Sequence, residues 1–149
     1  MKTLYLELIL LCISVSIFAQ TPATHPAQQL QDKVKGTYRA RFKEDSSKIR
    51  FKAQLDIENF FSFDFMATND DLDCRTSLGQ WTTKGDTLIL ESYPLKQLPD
   101  EYQFQLLFCK WYKFPRDRFL IKDNCLIALY KNKRGKWRRG KIYRREKKK

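Results

Sequence analysis

With 149 residues the chain has room for one domain, and its 11 Phe, 7 Tyr and 3 Trp against only 5 Gly and 5 Pro exclude collagen-like and disordered classes. Such a composition suits a well-packed sheet. Lys and Arg number 29 against 17 Asp and Glu, a formal charge of +12, and the single histidine, His25, leaves little for histidine-based catalysis or for zinc.

The N-terminus reads as a cleavable secretory signal over 1–19. Lys2 is a minimal positive region, Leu8 to Phe18 is an apolar run of eleven residues, and Ala19 before Gln20 offers the small residue that signal peptidase needs. A bilayer span needs about 20 apolar residues, so the run is too short to cross. Glu7 interrupts the apolar stretch and Ile17 stands where a small residue is usual, which keeps an N-terminal membrane anchor as the alternative. Cys12 follows Leu11 rather than a small residue, which argues against a lipoprotein. The expected address is therefore outside the cytoplasm: periplasmic, outer envelope or extracellular. A Thr/Pro/Ala linker over 20–27, a β domain over 28–145 and a basic tail over 146–149 complete the expected organisation.

Gln28 to Lys35 makes about two helical turns before Gly36 ends them. Beyond Gly36 the pattern is strand after strand. Tyr38, Ala40 and Phe42 alternate with Thr37, Arg39 and Arg41, and Ile49, Phe51, Ala53, Leu55 and Ile57 alternate with polar neighbours from Lys48 to Glu58. Successive side chains of a strand point to opposite faces, so this alternation marks half-buried strands. Phe61, Phe63 and Phe65 continue after a turn at Asn59. Asn69-Asp70-Asp71 marks the next turn, and Cys74 to Thr83 a strand in which Gly79 places a bulge. Lys84-Gly85-Asp86 is a hairpin connection into Thr87 to Tyr93. After a loop from Pro94 to Asp100, the alternation of Tyr102, Phe104, Leu106 and Phe108 predicts another strand. Phe119 to Lys122 and Cys125 to Tyr130 flank a turn at Asp123-Asn124, and Asn132 to Gly135 leads into a last strand, Lys136 to Arg145. Eight or nine short strands joined by short loops predict an all-β, antiparallel up-and-down meander that closes into a small barrel.

Cys74, Cys109 and Cys125 follow the expected cleavage point, and export makes one disulfide plausible. Successive predicted strands favour Cys109 with Cys125; Cys74 with either one, or small buried thiols, stays open.

Leu30 followed by Gly36-Thr37-Tyr38 resembles the opening of a lipocalin-like domain. Gly79-Gln80-Trp81 and Gly85-Asp86-Thr87-Leu88-Ile89-Leu90 are similar to a pattern in small exported bacterial proteins of this lipocalin-like kind. Arg144 or Arg145 resembles the basic residue that in lipocalins packs over the first-strand aromatic, here Tyr38. The resemblance implies a barrel with a short N-terminal helix. It departs where lipocalins carry tryptophan at the position of Tyr38 and place Gly-x-Trp early in the chain.

No phosphate-cradling glycine loop and no metal-ligand spacing stands out, so no catalytic, metal or cofactor residue is expected. The acidic group Asp70, Asp71 and Asp73 reads as a charged turn. Charge is distributed unevenly: 131–149 holds 12 basic residues and a single acid, Glu146, leaving 17 basic and 16 acidic residues elsewhere. The expectation is a non-enzymatic binding module for a hydrophobic or amphipathic ligand, lined by Phe51, Phe61, Phe63, Phe65, Phe104 and Phe108. The alternative is an envelope protein docking Lys133, Arg134, Lys136, Arg138, Arg139, Lys141, Arg144 and Arg145 on an anionic surface of lipid, lipopolysaccharide, polysaccharide or protein. Export steers this stripe away from nucleic acid, which is not expected as a partner.

Overall fold

The computed structural model describes residues 29, 32–43 and 49–147. The expected cleavage point at Ala19 and Gln20, the linker over 20–27 and the tip of the tail at Lys148 and Lys149 lie outside the described residues. The chain divides into 1–30 and 31–149, and the fold below belongs to the second unit.

That unit is an all-β barrel. Its strands are β1 (Gly36–Lys43), β2 (Arg50–Ile57), β3 (Ser62–Thr68), β4 (Cys74–Lys84), β5 (Thr87–Ser92), β6 (Lys110–Trp111), β7 (Pro115–Lys122), β8 (Cys125–Lys131) and β9 (Trp137–Arg145). Eight of them pair antiparallel in chain order, and β9 returns to β1 to close the ring. The two-residue β6 sits outside this ring, adding parallel to β4. A short helical stretch at Asp32–Val34 leads into β1, so the lipocalin-like up-and-down architecture is present.

The alternation that predicts the strands also builds the core. Tyr38, Ala40 and Phe42 lie opposite Leu55, Ala53 and Phe51, and Leu55 and Ala53 lie opposite Phe65 and Ala67. Directly opposed residues share a face, so these rows all point inward. Phe51, Leu55, Ile57, Phe63, Phe65, Trp81, Leu88, Leu90 and Leu126 are buried almost completely. Each such side chain contributes roughly 1.5–3 kcal/mol relative to exposure.

Three expectations need correction. The alternation from Tyr102 to Phe108 is not a strand: Asp100–Gln105 forms helix α1, which opens after Pro99 with Asp100 and Glu101 in its first turn. Proline has its φ preset for such a helix start, and the two carboxylates suit its N-terminal dipole. Tyr102 alone is buried in α1, against the outer wall; Phe104 and Phe108, expected to line the interior, are 65% and 72% exposed. Phe61, also expected there, lies in a 3-10 turn with its ring 5.0 Å from Trp81.

Gly79 places no bulge. It stays in register with Phe63 and Ser92, and a Cβ there would stand 2.1 Å from the Glu91 carbonyl. Close backbone approach, not a kink, demands the glycine. Register shifts fall instead between Leu90 and Glu91, and between Ile127 and Leu129.

The disulfide joins Cys74 to Cys109, with Cα atoms 4.7 Å apart, and Cys125 is free. The pairing Cys109–Cys125 fails because 109 precedes β6, which lies on β4 beside Cys74. Cys125 stands in β8, opposite Arg144.

Candidate ligand-binding end of the barrel

The two ends of the barrel are built differently. At the end where β1 starts and β9 finishes, polar groups are spent on closure. Tyr38 donates its hydroxyl proton to the Val34 carbonyl at 2.7 Å, and Val34 is fully buried. Of the two arginines offered by the sequence, Arg145 lies over the Tyr38 ring, 5.7 Å from its centroid, and donates to the Lys35 carbonyl. Gly36, at φ +147°, admits that guanidinium: a Cβ would meet Arg145 Nε at 2.9 Å. Trp81 donates its indole N–H to the Glu58 carbonyl at 3.2 Å.

The opposite end is less tightly zipped. Between described residues, β1 and β9 pair only at Tyr38–Arg145 and Arg39–Arg144, so from Ala40 onward this seam has no registered pair. Lys141 reaches across it, its ammonium 4.1 Å from the Phe42 ring centroid. Two asparagines hold the hairpin turns of this end. Asn69 Oδ1 accepts from the N–H groups of Asp71 and Asp73, and Asn132 Oδ1 from those of Arg134 and Lys136. The acidic turn is spent on cations: Asp70 pairs with Lys52 at 3.1 Å, and Asp73 with Arg75 at 2.9 Å.

The segment between β5 and β7 covers one wall and then enters the mouth. On the outside, the Tyr102 hydroxyl donates to Asp64 at 2.6 Å and accepts from Thr76 at 3.1 Å. Burial pushes the Asp64 carboxyl above the usual range, and the Tyr102 hydrogen bond opposes that rise. The Cys74–Cys109 bond then anchors the chain to β4, and Phe114 enters the interior edge-on to Phe63 and Phe65.

Inside the open end lies a group of polar side chains that the residue-by-residue reading did not single out. Arg75, Ser77, Ser92, Tyr112, Asp117 and Tyr143 surround the aromatic interior. Register places Arg75 opposite Ala67, and Asp117 opposite Leu90, both on the inward face. The alternation of Phe119 and Ile121, extended two residues back, is the signal that could have found Asp117. Arg75 is satisfied by Asp73, by the Cys74 carbonyl and by the face of Phe51. Asp117 is different: burial alone pushes its carboxyl up, and no described residue pairs with it. Its charge, with burial as the larger cause, raises the hydroxyls of Tyr112 and Tyr143.

The candidate anion-contact residues scatter over three settings. Lys133, Arg134 and Lys136 occupy the β8–β9 turn, whereas Arg138 lies opposite Tyr130 at the rim, and Lys141 bridges the seam. Arg139 and Arg144 face outward. Arg145, half-exposed, lies over Tyr38 at the closed end. On the outer wall Leu120, Ile127 and Ile142 form one row across three strands, and Arg118, Leu129 and Arg139 the next. Trp137 borders this wall with Arg118 and Lys131 over its ring.

Two surface hollows open outside the core. One of about 510 Å³ lies beside Lys35–Thr37 and Asp56–Phe60, and one of about 380 Å³ lies on the outer face of β1–β3, beside Arg39, Lys52 and Asp64. No protein-family model, curated protein or solved structure matches the chain.

Proposed function

We propose that the protein is an exported, non-enzymatic, lipocalin-like binding module that takes a hydrophobic or amphipathic ligand, without a cofactor, at the open end of its barrel. The observation that carries this reading is the unpaired stretch of the β1–β9 seam beside inward aromatic residues. Toward the closed end Tyr38, Leu55, Ile57 and Trp81 are buried almost completely, which confines a ligand to the upper part. There Phe42, Phe51, Phe65, Tyr112 and Phe114 supply apolar surface, at about 25 cal/mol per Å² removed from water. Arg145 over Tyr38 supports the resemblance to lipocalin-like proteins.

Titration with octanol, followed through aromatic NMR signals, tests the reading. Shifts are expected at Tyr112, Phe114, Phe119 and Tyr143. Silence at these residues overturns it.

A second reading draws on the outer wall, where an apolar row is framed by arginines with no outward acid between them. Such a wall suits an anionic envelope surface, each cation near it contributing about 1 kcal/mol. Retention on vesicles containing phosphatidylglycerol, falling as salt rises and lost in an Arg118→Glu, Arg139→Glu variant, is the expected result; retention unchanged in that variant rejects it.

A further inference from the structure

We propose that the head group taken at the open end is an organic cation, an amine, held between the Asp117 carboxylate and the aromatic rings around it. The inference rests on the ligand-binding reading above and specifies the chemistry of its polar end.

The backbone turns this carboxylate inward beside a strained bulge. Pairing runs from Leu90–Asp117 directly to Glu91–Pro115, which leaves Arg116 as the extra residue of a bulge. Arg116 takes φ +73°, a left-handed conformation that non-glycine residues rarely adopt. Its side chain turns outward to Glu91, 3.8 Å away. Asp117 keeps the inward face of Phe119 by ordinary alternation, and the bulge breaks that alternation just before it. Bulges recur next to binding sites.

The inward face that Asp117 shares with Phe119 is aromatic. Ring centroids run in a chain: Tyr112 to Phe114 at 5.0 Å, Phe114 to Phe119 at 6.5 Å, and Phe119 to Tyr143 at 5.6 Å. Aromatic faces attract an ammonium within about 6 Å of the centroid, and a nearby carboxylate adds direct pairing. A half-buried carboxylate without a protein partner gains from a ligand that supplies one.

The distribution of interior cations points the same way. Although the chain carries +12 overall, its inward arginines are committed. Arg75 is held by Asp73 and Phe51, and Arg145 by backbone carbonyls and Tyr38. An anionic head group would have to displace those contacts; a cationic one meets a carboxylate that has none. One carboxylate and two phenols are too few oxygens for a calcium ion, which takes six to eight.

Calorimetric titration of the folded protein with octylammonium, octanol and octanoate decides the matter. Octylammonium is expected to bind about tenfold tighter than octanoate, and that preference should vanish in Asp117→Asn and persist in Asp117→Glu. Circular dichroism confirms that both variants are folded. Octanoate binding as tightly as octylammonium, or a preference unchanged in Asp117→Asn, overturns the cation inference while leaving the open-end reading intact. If none of the three binds, both fall together.

Discussion

The closed and open ends of this barrel use the same residue types for opposite purposes. At the closed end Arg145, Tyr38 and Trp81 each find a protein partner, and every contact ties strand ends together. At the open end Asp117 points inward, and it has no partner among the described residues. A polar group inside a barrel therefore closes the fold where its partner is built in, and the proposed site lies where no partner is.

The largest effects should come from the closed end. Trp81→Ala removes a 1% exposed ring and its indole hydrogen bond, and is expected to cost about 3–5 kcal/mol in urea denaturation. Trp137→Ala, on the exposed rim, should stay within about 0.5 kcal/mol. Equal losses at the two tryptophans would erase the contrast.

Replacing both cysteines of the Cys74–Cys109 bond by serine should cost about 2–4 kcal/mol, since the bond closes a 35-residue separation. Among the described cysteines, peptide mapping should find Cys125 alone alkylatable before reduction.

Arg145→Ala should cost roughly 1.5–3 kcal/mol, the range for hydrogen bonds to a charged group. Arg144→Ala, on the exposed face, should change little in the same melt.

The smallest effect concerns pH. Burial raises the Asp117 carboxyl in the folded state, so folding favours its protonated form. Stability should fall as pH rises through the window above the unfolded value of 3.8, and stay level beyond the folded value. Asp117→Asn should flatten that decline and melt slightly higher than the parent at neutral pH. A steeper decline in the variant would contradict an unpartnered carboxylate. Asp64 shifts in the same direction, so the comparison must be made on the difference between the two proteins.

Much of the barrel was legible because a strand repeats every two residues, and that period is visible in a list of residues. The alternation of Phe51, Ala53, Leu55 and Ile57 is the structure of β2. The same logic misled at Tyr102, Phe104, Leu106 and Phe108: a helix whose apolar side chains are mostly exposed can alternate by accident, and Pro99 with two acids was the better signal. The disulfide was misread because chain neighbours were taken for spatial neighbours. β6 returns to β4, out of sequence order, and only the pairing of strands shows it.

The candidate site divides the same way. Arg144 and Arg145 were both legible as the residue over Tyr38, but the register decides for Arg145, because only that residue lies opposite Tyr38. The inward face of Asp117 was legible from its alternation with Phe119 and Ile121, but the aromatic residues gathered round it come from distant strands.

The sequence by itself determined the β class, the meander and the inward face of most strands, since alternation is a local property of the chain. The tertiary structure alone decided which cysteines meet, which end is closed, and that Asp117 finds no partner among the described residues, because those facts depend on residues brought together from distant strands.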